Sequence, residues 1–313
     1  MMRTLGLGDN VCDKYMHIST IYPGGNALNV AVFSGMLGAE SAYLGTFGDD
    51  EVGRHVYHVA SEIGLDLSHC RLEHGANGCA RVQLVNGDRV FLTGNRGGIS
   101  REKPPLLTAI DEEYIGGFDL VHTSVYSFLE PQFPVIRRAA KFVSMDFSNQ
   151  MDDAYFMESC PYIDCAEISC GDREESEIRD IMRKIFTYGC KQIVIATRGA
   201  KGAFVQVGEK FYEQSPHLVK ARDTMGAGDA FIACFLTNYL NGIGQATDFS
   251  NGAERGMTSA AEYKDCLVRL SLYRASLFSS AQCERDGSFG YGKHVTLTDE
   301  DQMVMVKESV AEN

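Results

Sequence analysis

Residues 223–229 read Asp-Thr-Met-Gly-Ala-Gly-Asp, and residues 230–240 behind them (AFIACFLTNYL) carry no Gly or Pro and read as a helix. Small residues let backbone N–H groups come close to an anion. The first N–H groups of a helix lack partners and the dipole is positive there, so a Gly-rich turn that opens a helix is an anion site. Gly226, Ala227 and Gly228 form that turn, and Asp229 stands beside it. A carboxylate next to a phosphate-sized anion hole is placed to take a proton from a hydroxyl while a phosphoryl group arrives. Helix capping explains the same Asp without any chemistry, so the rest of the chain must decide between the two.

Short apolar runs alternate with helical patterns through most of the length. Strands are expected at 3–7, 41–47, 118–123, 142–147, 162–168, 192–197 and 203–207, and helices at 26–37, 52–63 and 173–188. This alternation implies right-handed βαβ crossovers and a parallel sheet covered on both faces. Ligands of such sheets bind beyond the carboxyl ends of the strands. Asp9 and Asp13 follow the first strand, and Gly24, Gly25, Asn26 and Asn29 open the first long helix. Asn29 offers both a donor and an acceptor; a capping turn and solvated carboxylates account for the same residues equally well.

One segment breaks the rhythm. Residues 80–85 (ARVQLV), Asn86-Gly87 and residues 88–93 (DRVFLT) carry a hairpin signal, flanked by Gly75, Gly78, Gly94, Gly97 and Gly98. Two strands are too few for a domain, so the hairpin reads as a lid, with a plain edge hairpin as the alternative. Residues 197–202 (TRGAKG) link two apolar strands and could bring backbone and basic side chains to phosphates, or merely connect them.

The net charge of −13 argues against nucleic acid or an anionic membrane as the main partner. No apolar run approaches the ~18 residues of a membrane span, and the start MMRTLGLGDN has no signal-peptide pattern. The ten cysteines are scattered without a CxxC pair, which predicts reduced thiols in the cytoplasm. Two other nucleotide motifs fail. Val11 stands at the third glycine position after Gly6 and Gly8, and His294 replaces the Ser or Thr of a P-loop at 287–293.

Together these residues resemble the ribokinase-like, PfkB-type carbohydrate kinases, over about residues 3–243 and again near 270–292. Residues 223–229 match that family's D-T-x-G-A-G-D signature; residues 24–29 and 48–53 (GDDEVG) match its N-terminal glycine and G-D-D-x-x-G elements in the same order. The resemblance implies an α/β fold with a central, mostly parallel sheet, helices on both faces and a small β lid. It implies one kinase domain over 1–313, with the lid at about 10–23 and 79–97. It also assigns roles. Asp229 is the catalytic base, and Gly226, Ala227 and Gly228 are the anion hole. Asp13, Gly25 and Asn29 meet sugar hydroxyls. Thr197, Gly199 and Gly202 meet the nucleotide, with Ser276 on its adenine side. ATP and magnesium are the implied cofactors; Asp223 and the backbone of 287–290 are the implied potassium loop. The lid often also makes a dimer interface in this family.

Two departures stand out. The family's N-x-x-E, which acts on magnesium through water, is replaced by Ser169-Cys170-Gly171-Asp172, where Asp172 could stand in for the Glu. Residues 247–270 look like an added helical insertion near the nucleotide side. Within the family the nearest resemblance is to fructoselysine 6-kinase and related fructosamine kinases. It is carried by Gly8-Asp9-Asn10, Asp13, residues 24–32, NGDRVF at 86–91, Asp146-Phe147-Ser148 and GSFG at 287–290. Only ten residues separate Asp13 from Gly24, so the first lid strands should be short and leave room for a bulky acceptor. Fructose or another small sugar, a nucleoside, and a non-catalytic sugar sensor are the competing readings.

Overall fold

A computed structural model of the chain describes residues 1–85, 88–171, 173–245 and 259–304. Asn86-Gly87 and Asp172 therefore lie outside the described residues, as do positions 247–258 of the expected insertion. The strands are β1 (Arg3–Gly8), β2 (Val11–Tyr15), β3 (Thr20–Gly24), β4 (Glu40–Gly48), β5 (Arg71–Glu73), β6 (Cys79–Val85) and β7 (Asp88–Gly94). They continue with β8 (Leu120–Ser124), β9 (Val143–Asp146), β10 (Cys165–Ser169), β11 (Ile193–Thr197), β12 (Ala203–Val207), β13 (Lys210–Gln214) and β14 (Lys293–His294). The helices are α1 (Asn26–Met36), α2 (Glu51–Glu62), α3 (Ile99–Glu102), α4 (Ala109–Gly116), α5 (Phe133–Ala139), α6 (Asp153–Ser159), α7 (Glu175–Thr187), α8 (Ala227–Gln245) and α9 (Ala260–Gln282).

Nine strands form one sheet in the order β13-β12-β11-β10-β9-β8-β1-β4-β5, parallel from β11 to β5 and antiparallel at the β12–β13 end. From β1 the chain moves outward to β4 and β5, then returns to β8 on the other side of β1 and proceeds toward β11. The strand order thus reverses between β1 and β8, and ligands of open α/β sheets bind beyond the carboxyl ends at such a reversal. Asp9, just past β1, accepts hydrogen bonds from Ser124 Oγ at 2.7 Å and Ser127 Oγ at 2.9 Å beyond β8, and from the Ala27 N–H at 3.2 Å. It therefore ties the reversal together and caps α1.

Two apolar clusters hold the helices against opposite faces of the sheet. The 230–236 stretch of α8 is apolar all round, each residue no more than 6% exposed, the pattern of a helix segment covered on every side. Each fully buried Phe or Leu there contributes about 1.5–3 kcal/mol. The described part of the expected insertion, from Ala260 onward, is the first half of α9, a single 23-residue helix. Asp50 caps α2 by accepting from the Gly53 N–H at 2.8 Å, so the 48–53 segment acts in the fold.

The lid is larger than a hairpin. It is a five-stranded sheet in the order β14-β3-β2-β6-β7, antiparallel except for the parallel β2–β6 pair. Its strands β2 and β3 have five residues each. A small core of Tyr15, Tyr22 and Val82, with Leu84 against it, also takes in Met225 of the 223–229 turn. Lys14 and Arg81 bind the buried Asp301 at 2.9 and 2.6 Å, which straps the chain's last described segment to the lid.

Candidate active site

The site forms where the N-terminal ends of α1 and α8 meet beneath the lid. Gly25 takes φ +112°, and a Cβ there would stand 2.7 Å from Asn10 Cα, so only glycine fits the turn into α1. One helical turn later Asn29 reaches across to α8. Its Nδ2 donates to Asp229 Oδ2 at 2.7 Å and to Ser288 Oγ at 3.1 Å. Its Oδ1 is buried and has no hydrogen-bond partner. Asp13, on β2, is only 3% exposed. A Cβ built on Gly24 would stand 2.8 Å from Asp13 Oδ2, 3.4 Å from Ser288 Oγ and 3.8 Å from Asn29 Oδ1. Gly24 thus leaves open a small space into which three polar side chains project.

Asp229, the expected base, lies on the far side of the Asn29 bridge. Asp229 is the third residue of α8, and its carboxylate is oriented by Asn29 instead of capping the helix. Gly226 has φ +72° and packs on Ser288, whose Cβ and Oγ would lie 3.0 Å from an added Cβ. A Cβ on Gly228 would meet nothing within 4 Å. Among the described residues, the N–H groups of Gly228 and Asp229 have no backbone acceptor. Open space beside unpaired N–H groups at the start of a 19-residue helix is an anion-binding geometry.

The acids share one buried environment. Burial and the nearby Asp146 push the Asp229 carboxyl well above its usual range, while the Asn29 hydrogen bond and Arg89 pull it down. Burial raises Asp146 to about 6 against bonds donated by the Ser148 N–H and by Asn26. Glu167 on β10 is raised by burial and by Asp146, and its Oε2 is buried without a partner. Burial raises Asp13 to about 7, opposed by Arg89. Sequence reading did not mark Asn26 or Glu167 as site residues, nor assign Asp146 a role. For Asp146 and Glu167 the signal was a carboxylate near the carboxyl end of an otherwise apolar strand, as in FVSMDF and DCAEI; Asn26 had only its place after Gly24-Gly25.

That environment makes stability depend on pH at Asp13. Folding raises its pKa from 3.8 to about 7, so the ionised form destabilises the fold. The cost is absent below pH ~4, grows up to pH ~7 and is constant above it, on the order of 4 kcal/mol. Asp13→Asn should therefore raise Tm relative to the wild type at pH 8 and leave it unchanged at pH 4, while weakening sugar binding. Melting curves at the two pH values check this; equal shifts at both would remove Asp13 as the titrating group.

Asp223 braces the site. It is fully buried and accepts from Tyr15 Oη at 2.6 Å, the Gly287 N–H at 2.8 Å and the Met225 N–H at 2.9 Å. One side chain thus joins the lid, the 223–229 turn and the 287–290 loop. Thr224 Oγ1 donates to Asp88 Oδ1 on the lid at 2.9 Å.

The expected nucleotide contacts lie away from this cluster. Thr197 ends β11, and its hydroxyl donates to the Ile168 carbonyl at 3.4 Å. Gly199 (φ +55°) and Gly202 (φ +85°) shape a turn closed by the Arg198 N–H on the Gly202 carbonyl at 2.8 Å. Arg198 stacks 3.5 Å over Phe204 and binds Glu213 at 3.1 Å, so its charge supports the turn. Ser276 on α9 accepts from the His217 N–H at 3.0 Å and donates to the Ser215 carbonyl at 3.2 Å, fastening residues 215–217 to α9.

A family model described as pfkB family carbohydrate kinase matches residues 8–262. The fructosamine kinase FrlD of Bacillus subtilis is 37% identical over 299 residues, covering 95% of this chain and 96% of its own. The fructoselysine 6-kinase of Escherichia coli is 32% identical over 243 residues, covering 77% of this chain and 91% of its own. Among solved structures, ribokinase from Giardia lamblia superposes with a TM-score of 0.75 at 16% identity, covering 98% of this chain and all of that one. Sequence match, fold and the buried Asp229 beside its open helix end lead to one assignment: the chain belongs to the pfkB family of carbohydrate kinases, phosphotransferases that act on a sugar hydroxyl.

Proposed function

We propose that the protein phosphorylates the 6-hydroxyl of a fructosamine, with fructoselysine as the acceptor, at the expense of ATP. The observation that carries the reading is the Asn29–Asp229 pair: one oxygen of a buried carboxylate held at 2.7 Å, next to an unpartnered Asn29 Oδ1 and the buried Asp13. Asn29 Oδ1 and Asp13 accept sugar hydroxyls, and Gly25 lets the ring approach the backbone. Asp229 accepts the proton of the reacting hydroxyl as its oxygen bonds to the γ-phosphorus and the bond from phosphorus to ADP breaks. The turn at Gly226, Ala227 and Gly228 lets the phosphoryl approach, and the N–H groups of Gly228 and Asp229 stabilise its charge in flight, the Ala227 N–H being held by the Thr224 carbonyl at 3.3 Å. The closed lid keeps out water, a competing acceptor. Asp13, Asp146, Glu167, Asp223 and Asp229 together make the site rich in acid, and an amine-bearing sugar brings a positive charge that favours the ionised forms burial opposes. The names of the Bacillus and Escherichia relatives support the same substrate class.

Thr197, Gly199 and Gly202 are proposed as nucleotide contacts, with Ser276 acting through residues 215–217. Magnesium fits as an ion carried by the nucleotide: among the described residues no three His, Cys, Asp or Glu side chains are arranged to hold a metal ion, and magnesium takes most of its ligands from phosphate and water. Asp172 is the proposed contact to its water shell. When bound, the ion offsets phosphate charge. A potassium ion would be held by backbone carbonyls near 287–290, with Asp223 supplying charge while its oxygens stay engaged with Tyr15, Met225 and Gly287. Val85 and Val90, each 43% exposed, support a homodimer built through the lid. Ten free thiols support a cytoplasmic site of action.

ADP release with fructoselysine, fructose, ribose and adenosine as acceptors tests the reading. Fructoselysine is expected to give the highest kcat/KM. A higher value for fructose or ribose would replace the acceptor, ADP release with adenosine alone would point to a nucleoside kinase, and none with any acceptor would favour a sensor.

A further inference from the structure

Arg89 on β7 is the one cation that the lid brings to this acid-rich site, among the described residues. It lies opposite Leu84 in the β6–β7 pair, and Phe91 lies opposite Val82. Val82 and Leu84 pack with Met225, so Arg89 and Phe91 share the lid face turned toward the 223–229 turn. Arg89 Nη1 donates to the Thr224 carbonyl at 3.0 Å and to Thr224 Oγ1 at 3.1 Å. Its Nε and Nη2 hydrogens have no acceptor, and no carboxylate forms an ion pair with it, among the described residues. The guanidinium is thus fixed at one corner and leaves the edge that binds carboxylates two-pronged unused.

The position favours the sugar end of the site over the phosphoryl end. Held on the Thr224 backbone, Arg89 opposes the effect of burial on Asp13, the acid expected at the sugar end. Backbone N–H groups already serve the phosphoryl. Beside the guanidinium, 6.0 Å away, the Phe91 ring is 57% exposed although it lies on the inward face of the lid. A fixed cation with a free fork next to an uncovered aromatic ring matches an acceptor that continues past the sugar into an aliphatic stem and an anion.

We propose that Arg89 determines specificity by binding the carboxylate of the amino-acid part of a sugar–amino-acid acceptor, with Phe91 covering its aliphatic stem. This rests on the fructosamine reading and adds to it the chemical group that separates such conjugates from plain sugar amines.

The test compares fructoselysine with its decarboxylated counterpart, fructose joined to 1,5-diaminopentane, on the full-length enzyme and on Arg89→Gln and Phe91→Ala. Wild-type kcat/KM should favour fructoselysine ~10–100-fold, the effect of a charge-assisted hydrogen-bonded pair. Assayed on the high-pH plateau of the rate profile, where Asp13 and Asp229 are ionised with or without Arg89, Arg89→Gln should lose that preference through KM, with kcat within about twofold on either acceptor and little change for the decarboxylated one. Phe91→Ala should raise KM for both conjugates and leave fructose unchanged. Equal losses on both conjugates would make Arg89 a lid latch, and a fall in kcat on both would place it on the phosphoryl group; either overturns the proposal. A wild type that does not distinguish the two conjugates overturns it without any variant, while the fructosamine reading stands. If neither conjugate is phosphorylated but fructose is, both readings fall.

Discussion

Asp229→Asn lowers kcat by about 10²–10⁴-fold and leaves the affinities for ATP and sugar within a few-fold of the wild type, the expected effect of removing a general base from an otherwise intact site. An Asn at 229 is nearly isosteric and can still accept from Asn29 Nδ2 through its side-chain oxygen, so the bridge between α1 and α8 persists. The substitution also removes a carboxyl whose ionised form is disfavoured by burial and by Asp146, so the variant melts no lower than the wild type at pH 8. The pH profile carries a second signature. Because Asp229 titrates above the usual carboxylate range and acts ionised, wild-type turnover falls as pH drops through that raised value, and the residual activity of the variant loses this limb. Steady-state kinetics from pH 5 to 9 with melting curves check both parts. Near-normal turnover in the variant would remove Asp229 from the chemistry.

Gly228→Ala separates the anion hole from the fold. A methyl group there meets no atom within 4 Å, and Ala in a helix is favoured over Gly by about 0.5–1 kcal/mol. The variant should therefore melt at the same temperature or slightly higher. Its methyl stands beside the unpaired N–H groups that open α8, so turnover should fall by ~10²–10³-fold, the scale of losing an oxyanion donor. The same change at Gly226 would not isolate this effect, because φ +72° and the Ser288 side chain 3.0 Å away make any Cβ there strained. Wild-type turnover in a stable Gly228→Ala protein would place the phosphoryl elsewhere.

Much of this was legible beforehand, for identifiable physical reasons. Periodicity located every strand of the parallel sheet from β1 to β11 except the three-residue β5, because buried parallel strands are continuous apolar runs. The turn at 223–229 was legible because glycine and a helix start are both local properties. Alternation by itself marked only the 80–93 hairpin of the lid, and residues 10–23 entered it through the family resemblance. Strands β2 and β3 are short and carry Asp13, Lys14 and Pro23, so they lack the apolar alternation that marks a strand, and β14 comes from the far end of the chain.

Residue types and local spacing determined an anion-binding helix start, an adjacent carboxylate, and the alternation that puts both at the edge of a parallel sheet; the resemblance to the PfkB-type kinases turned these into a reaction class. The tertiary structure decided the rest. Asn29 and Asp229 are 200 positions apart, and Asp88 and Thr224 are 136 apart, and no local pattern announces such pairs. Whether a carboxylate caps a helix, braces a loop or serves as a base depends on which distant donor it meets and how much water it loses. Asp9, Asp223 and Asp229 look alike in the chain, and packing sends them to three different tasks.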